Sequence, residues 1–485
     1  MITYDTIKAL AANEGLSVKD LCALAPKNDP FYVGRPAEVA AAEWFASLWQ
    51  QFGYDTGVHL RRMHYRLISQ DPPLPRPNGE IYLNTDRDWD YLNEASKWAR
   101  YLNLVSPSAF VDRRNPEAII LARWKRPGDW LYADPTPNYE ILKTFSQDDY
   151  NLPELPELDN LPDDIIDLPT FEVRGYSDIQ QDYHVECWVE KTTMNDVLEP
   201  LCRRYGVNLV TGAGELSITA VVEFLKRVRR AERPARIIYI SDYDPAGLGM
   251  PISVARKIEF FQRNDGHHDL DIRLQPIVLT TDQVAAYDLP RVPVKDTDLR
   301  KANFEVAHGE GQVELDALEA LYPGELAQIT ETAILQWYDP TLEERAEQQR
   351  LNLIDILDAE KNAVIEDHQD AIDDLTSDYA ELLDTYSATQ ERFQELIQDF
   401  QPEIDAHNAH LESIKRNALE LHQAVLDDLY RVEIDLGDDN FVLPVPDLPD
   451  DDDGLLYDSR REYFDQLVMY KSYRLGLDGN GDEAE

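Results

Sequence analysis

Positive charge is scarce in this chain. Its 485 residues carry 46 Lys and Arg against 93 Asp and Glu, a net charge of -47 and a pI near 4.4. So acidic a balance normally argues against a nucleic-acid partner. The acid is spread along nearly the whole chain, however, and Arg clearly outnumbers Lys. That pattern fits a cytosol with molar salt, where acidic surfaces keep a protein hydrated. At about 1 M salt the Debye length is only about 3 Å, so repulsion from DNA is largely screened. The expectation is a cytoplasmic protein of a haloarchaeal cell or its virus.

Cysteine is also rare. Cys22, Cys187 and Cys202 have neither metal-ligand spacing nor an even framework, which excludes a disulfide scaffold and suits a reducing cytosol. No apolar run is long enough to cross a bilayer, so no membrane partner is expected. The first residues lack a basic start followed by an apolar core, so no signal peptide is expected. What is present suffices for real cores: 43% of residues are hydrophobic and 10% aromatic. The length suggests roughly two to four domains.

The charge is uneven. Between Val58 and Trp130 twelve Lys and Arg face nine Asp and Glu. This island includes Arg61, Arg62, Arg66, Arg100, Arg113, Arg114, Arg123, Lys125 and Arg126, a candidate nucleic-acid surface. Around it, residues 1–150 read as mainly helical. Helices are expected over Ala37–Phe52, His59–Ser69 and Trp89–Leu102, with a turn at Pro72–Pro77 and a short strand at Ile81–Leu83. Several short helices with a small strand pair are compatible with a winged helix. The acidic, Pro-rich stretch Pro153–Asp167 places a linker at 151–182.

From Tyr183 strand and helix alternate. Strands are expected at Val185–Val189, Asn208–Thr211, Arg236–Ser241 and Ile272–Leu279. Helices are expected at Met194–Tyr205, Ser217–Arg230 and Ile252–Arg263. Repeated strand–helix units imply a parallel α/β sheet covered on both faces, here spanning 183–335. Over 340–435 the chain is almost purely helical. Ile372, Leu375, Tyr379, Leu382, Tyr386, Thr389, Phe393, Leu396 and Phe400 form an apolar seam of threes and fours, the mark of a coiled coil. The rhythm resumes at Ile404, His407, Leu411, Ile414, Ala418, Leu421 and Val425. Pro402 between the runs either opens a second helix, giving a hairpin, or kinks one long helix. The acidic tail 436–485 reads as mostly solvated, with one helix over Arg460–Tyr473.

Two strand ends carry the chemistry. Val189 leads into Glu190-Lys191, and Ile240-Ser241 leads into Asp242-Tyr243-Asp244-Pro245-Ala246-Gly247. In a parallel sheet the carboxyl ends of the strands form the functional edge. Residues two apart point the same way on an extended segment, so Asp242 and Asp244 converge, with Glu190 facing them from an adjacent strand. Three unpaired carboxylates raise one another's pKa. A hard divalent cation resolves that repulsion, and magnesium (Mg2+) accepts a few carboxylates plus water and phosphate oxygens. Such an ion polarises a phosphodiester. Between the two motifs, Thr211-Gly212-Ala213-Gly214 lets backbone approach either a phosphate or a neighbouring strand. Glu314 and Asp316 read as a helix start with Leu315 and Leu318 buried, or as extra charge beside the acids.

Glu190-Lys191, then Thr211-Gly-Ala-Gly214, then Asp242-Tyr-Asp244-Pro-Ala-Gly247, resembles the Toprim domain of the topoisomerase VI A subunit and the related meiotic Spo11 family. The segment Val313-Glu314-Leu315-Asp316-Ala317-Leu318 resembles the stand-alone prokaryotic and mobile-element Toprim proteins. The resemblance spans roughly 45–330. It implies a winged-helix-like domain before the Toprim domain and a catalytic tyrosine on a helix, with an arginine four residues earlier. Leu60-Arg61-Arg62-Met63-His64-Tyr65-Arg66-Leu67 fits, with Tyr65 as nucleophile and Arg61 beside it. Here Leu60, Met63 and Leu67 make the buried stripe, and Tyr65 shares a face with Arg61 and Arg62. A packing or surface tyrosine on a DNA-binding helix fits the same spacing. The resemblance further implies magnesium on Glu190, Asp242 and Asp244, DNA contacts from Arg62, Arg66, Lys191, Gly212 and Gly214, a homodimer, and a separate ATPase subunit. His64 and the coiled coil depart from the family. The functions left open are tyrosyl-linked DNA cleavage, a Toprim nuclease using metal-activated water, and a non-enzymatic DNA-binding or virion-associated protein.

Overall fold

A computed structural model of the chain describes residues 2–113, 115–122, 132–137, 168–174, 180–266, 268–393, 401–433, 445–449 and 454–476. Two compact units emerge. One gathers Met1–Trp124, Gln181–Pro340 and Val445–Glu485; the other gathers Lys125–Gln180 and Thr341–Pro444.

The first unit opens with α1 (Tyr4–Glu14), capped by Thr3 and closed by Gly15 in the left-handed conformation. Then come α2 (Pro36–Gln51), α3 (Leu60–Ile68) and α4 (Asp86–Tyr101). Helices α2, α3 and α4 bury Phe45, Trp49, Met63, Leu67, Leu92, Ala95 and Ala99 against Tyr82 and Phe110. These are the three helices the periodicity predicts. The expected strand at Ile81–Leu83 is reduced to one antiparallel bridge, Pro75 to Ile81. Tyr82 donates its amide to Leu74 and buries its ring, so only one residue of that segment anchors in the core. Residues before Trp124 fall in the same compact unit as the sheet, and α1 and the 21–33 segment contribute to the sheet's core.

The pair β1 (Tyr132–Thr136) and β2 (Thr170–Arg174) is antiparallel and belongs to the second unit. The expected linker at Pro153–Asp167 lies outside the described residues, as do Arg114, Arg123, Lys125 and Arg126. The main sheet is built from β3 (His184–Val189), β4 (Asn208–Thr211), β5 (Ala235–Ile240), β6 (Ile272–Val278) and β7 (Tyr457–Asp458). Its order is β4-β3-β5-β6-β7, parallel except for β7. Strand side chains alternate between two cores. Trp188, Val210, Ile237, Tyr239 and Leu274 face one, packed by α6 (Ile218–Ala231) and α7 (Gly249–Asn264). Cys187, Val189, Leu209, Ile238 and Ile240 face the other. That side is packed by α5 (Asn195–Tyr205), by Val284 of the short helix α8 (Thr281–Ala286), by Phe304 of α9 (Lys301–His308), by α10 (Leu315–Leu321) and by α11 (Glu325–Leu335). Burial on both faces explains why β5 reads as a continuous apolar run.

The second unit holds α12 (Leu342–Asp367), α13 (Gln369–Phe393) and α14 (Gln401–Leu429). Helices α13 and α14 lie antiparallel: His368 reaches Asp428 at 2.7 Å at one end, and Arg392 reaches Glu403 at 3.8 Å at the other. Leu375, Tyr379 and Leu382 pack with Leu411, Ile414, Leu421 and Val425, so the apolar seam closes on itself as a hairpin. Pro402 is the second residue of α14, where its missing amide costs nothing. Side chains of Phe393, Leu396, Phe400 and Ile404 lie outside the described residues.

One expectation is overturned. The sequence predicts a mostly solvated tail, yet β7 pairs with β6 through Arg273–Asp458 and Leu274–Tyr457. The helix α15 (Tyr463–Arg474) buries Tyr463, Leu467 and Tyr470 in the sheet core. The acidic run Asp450–Asp453 masked this in composition; the aromatic and aliphatic residues after it have an apolar surface to cover. Among the described residues no helix is long and apolar enough to cross a membrane.

Candidate active site

The parallel strands end in step. The Glu190 amide donates to Ile240 at 3.0 Å, the Gly212 amide to Val189 at 2.7 Å, and the Ser241 amide to Val278 at 2.8 Å. Strand register therefore sets Glu190 directly beside Ser241 and Asp242. The Asp242 amide donates to Glu190 Oε2 at 3.2 Å, joining the two acidic motifs.

Asp242 is buried, and each of its oxygens has a donor. The Leu315 amide reaches Oδ1 at 2.8 Å, and Lys191 Nζ reaches Oδ2 at 2.9 Å. The loop is fixed by Tyr243, whose backbone pairs both ways with Val313 at 2.9 Å. Asp244 turns one oxygen back: Oδ1 accepts the amides of Ala246 at 2.8 Å and Gly247 at 2.5 Å. Gly247 is required there, because a β-carbon would overlap the Asp242 carbonyl.

The electrostatics follow from this crowding. Burial, then the charges of Asp242 and Asp244, push Glu190 up to about 7. Burial likewise raises Asp242, against the Leu315 amide and Lys191, which oppose the shift. Lys191 is held above the usual lysine range: desolvation opposes this, but Asp242, Glu314 and Asp316 outweigh it. Its ammonium sits 2.9, 3.0 and 3.1 Å from oxygens of those three acids. Both sequence readings of Glu314 and Asp316 hold, since Leu315 and Leu318 are buried at a helix start while the acids flank Lys191. Residue Arg300, missed from sequence, lies close enough for Asp244 to help raise its pKa, after its bond to Asp298. No pattern in its surroundings marks it.

The glycine loop serves the fold. Gly212 and Gly214 amides donate to Val189 at 2.7 Å and Glu190 at 3.4 Å, and Asn115 Oδ1 takes the Ala213 amide at 2.8 Å. A β-carbon at Gly212 would stand 2.7 Å from the Gly214 carbonyl. Of the two uses open in the sequence, close approach to a neighbouring strand is the one seen; these three amides already have protein acceptors.

Helix α3 presents Tyr65 to solvent at 60% exposure, with Arg61 and Arg62 exposed beside it. Arg66 is committed elsewhere: its guanidinium donates to the Phe52 carbonyl at 2.9 Å and lies over the rings of Phe52 and Tyr54. His64, the departure from the family pattern, is buried. Its ring bonds Tyr82 Oη at 2.7 Å and Asn84 Oδ1 at 3.1 Å, so it locks α3 onto the 82–84 segment. Tyr65 has no hydrogen bond or ring contact to Glu190, Asp242 or Asp244; its ring neighbour is His64.

Neither protein-family models nor curated proteins give any match to this chain.

Whether magnesium suits these residues is decided by their oxygens. Among the described residues no three His, Cys, Asp or Glu side chains stand close enough together to hold a metal ion as they are placed. Asp242 Oδ2 is taken by Lys191 at 2.9 Å. Among the described residues nothing donates a hydrogen bond to Glu190 Oε1 or Asp244 Oδ2. Hard carboxylate oxygens are the donor type a magnesium ion takes, with water completing its shell. The residue types fit magnesium by donor chemistry alone.

Proposed function

We propose that this chain is a magnesium-dependent, DNA-strand-cleaving protein of the Toprim type, akin to the topoisomerase VI A subunit. The reading rests on one observation above others: Glu190 stands hydrogen-bonded to the Asp242 amide at the carboxyl edge of a parallel sheet, with Asp244 two residues on. In this reading residues 183–335 are the Toprim domain, the α2–α4 helices are winged-helix-like, and α12–α14 form a coiled coil. The host is haloarchaeal or its virus, and the setting cytoplasmic.

Each residue then has a task. Glu190, Asp242 and Asp244 would hold magnesium, which supplies charge neutralisation at a phosphodiester. Arg61 and Arg62 bind the DNA backbone near Tyr65. Tyr65 Oη forms a bond to phosphorus as the bond to the 3′ oxygen breaks. The phenol proton passes by way of solvent to that departing oxygen, leaving a 5′-phosphotyrosyl link. The resemblance implies a homodimer in which the tyrosine of one subunit meets the acids of another, and Tyr65 makes no hydrogen bond or ring contact to Glu190, Asp242 or Asp244 of its own chain. Strand passage would need a separate ATPase subunit.

That same lack of contact favours a second reading, a nuclease using metal-activated water, which needs only the acids. The decisive experiment incubates the protein with supercoiled plasmid in high salt and magnesium, then searches under denaturing conditions for protein-linked ends. Covalent ends lost in Tyr65→Phe and in Asp244→Asn support tyrosyl cleavage. Cleavage retained in Tyr65→Phe without adducts selects the nuclease. Absence of cleavage and of any magnesium binding sensitive to Asp244→Asn refutes both, and leaves a DNA-binding or virion-associated structural role.

A further inference from the structure

Lys191 stands among three carboxylates drawn from two parts of the chain. Asp242 follows β5 by two residues, while Glu314 and Asp316 flank the start of α10. Only one of the three is a proposed metal ligand. Asp242 is almost fully buried, with a side chain 6% exposed; Glu314 and Asp316 are 53% and 51% exposed. The lysine is 24% exposed and bridges the buried acid to the solvated pair.

We infer that Lys191 is an exchangeable internal counter-ion: it neutralises Asp242 until a divalent cation arrives, then withdraws onto Glu314 and Asp316. This rests on the metal reading of Glu190, Asp242 and Asp244 and adds how that site is regulated. An ammonium and a divalent cation both need Asp242 Oδ2, and at close quarters they repel each other. A flexible four-carbon stem with a point charge can release one acceptor while keeping two others, which the planar fork of arginine does less readily. Glu314 and Asp316 make the withdrawal feasible, since the ammonium stays paired after it leaves Asp242. The arrangement also gives those two acids a task that the fold does not demand, because α10 is anchored by buried Leu315 and Leu318.

The test is magnesium binding to the full-length protein by titration calorimetry, with thermal melting as a second readout. Lys191→Met removes the competitor, so magnesium binds about tenfold more tightly than in the parent, within the usual span of coupling between two bound charges. The double variant E314Q/D316N removes the withdrawal sites, so magnesium binds about threefold more weakly or worse, by the same coupling. Its effect disappears in the Lys191→Met background, because these acids act through the lysine. Unchanged or weaker binding in Lys191→Met overturns the exchange, and so does an equal loss from E314Q/D316N in both backgrounds. Lys191→Gln serves in place of the methionine variant should the latter not fold. Parent protein lacking any magnesium binding sensitive to Asp244→Asn defeats the metal reading itself; binding that is sensitive, with no effect at Lys191, defeats only the exchange.

Discussion

Glu190 is the residue whose chemistry depends most on where the fold puts it. Burial and two neighbouring aspartates lift its pKa from an ordinary 4.5 to about 7. The native protein without metal therefore binds more protons than the unfolded chain between those values. Its stability from this group is fully present below about 4.5 and is lost as pH rises through about 7. A Glu190→Gln variant should show a flatter dependence of melting temperature on pH across that window, measured without divalent ions. Divalent binding has the opposite slope, since the ligand must lose its proton. Affinity should rise about tenfold per pH unit below about 7 and level off above it, as calorimetry at several pH values would show. A metal affinity indifferent to pH would remove Glu190 from the ligand set.

At the scale of elements, the turn after β5 does the positioning. Asp244 Oδ1 caps the amides of Ala246 and Gly247, which leads the chain into α7. Gly247 passes so close to the Asp242 carbonyl that no side chain fits. Gly247→Ala should force the turn apart and cost about 1–3 kcal/mol of stability, the usual price of overpacking. Magnesium binding should fall with it, because both aspartates move. A Gly247→Ala protein that melts and binds like the parent would show that the turn does not organise the acids. For α13 and α14, length and period predict the helices but not how they are joined. Pro402 gave two options in sequence, and packing of Leu382, Leu411 and Ile414 into one core selects the folded-back form.

Across the whole molecule, the first unit is stitched from three separated stretches of chain. Its far end is structural. Arg256 on α7, fully buried, bonds Asp29 at 3.2 Å, Glu259 at 2.8 Å and the Tyr463 hydroxyl at 2.5 Å, tying the beginning and the end of the chain to the sheet. Leu455, Leu456, Tyr457, Tyr463, Leu467 and Tyr470 are all buried. At about 1.5–3 kcal/mol for each buried large apolar side chain, their removal rivals the whole net stability of about 5–15 kcal/mol. It also strips β7 from the edge of β6, exposing a strand to aggregation. Truncation before Leu455 should thus yield insoluble or unfolded protein, judged by solubility and circular dichroism. A soluble truncated protein with the parent's melting temperature would show that the C-terminal segment is dispensable.

Local pattern alone was enough for α5, α6, α7 and the four parallel strands, because period and strand-end residues are written in neighbouring positions. It was enough as well to place Glu190, Asp242 and Asp244 at one edge, since parallel strands of similar length must end together. Other features rest on contacts between residues far apart in sequence. The commitment of Arg66 to Phe52, the use of the glycine-loop amides by Val189, Glu190 and Asn115, and the seat of Lys191 among three acids are of this kind. So is the burial of the tail, whose acidic composition hid an apolar face that acquires a partner only when the sheet is assembled. Hydrogen bonds and ion pairs are settled by distance in space, and only tertiary packing fixes that distance.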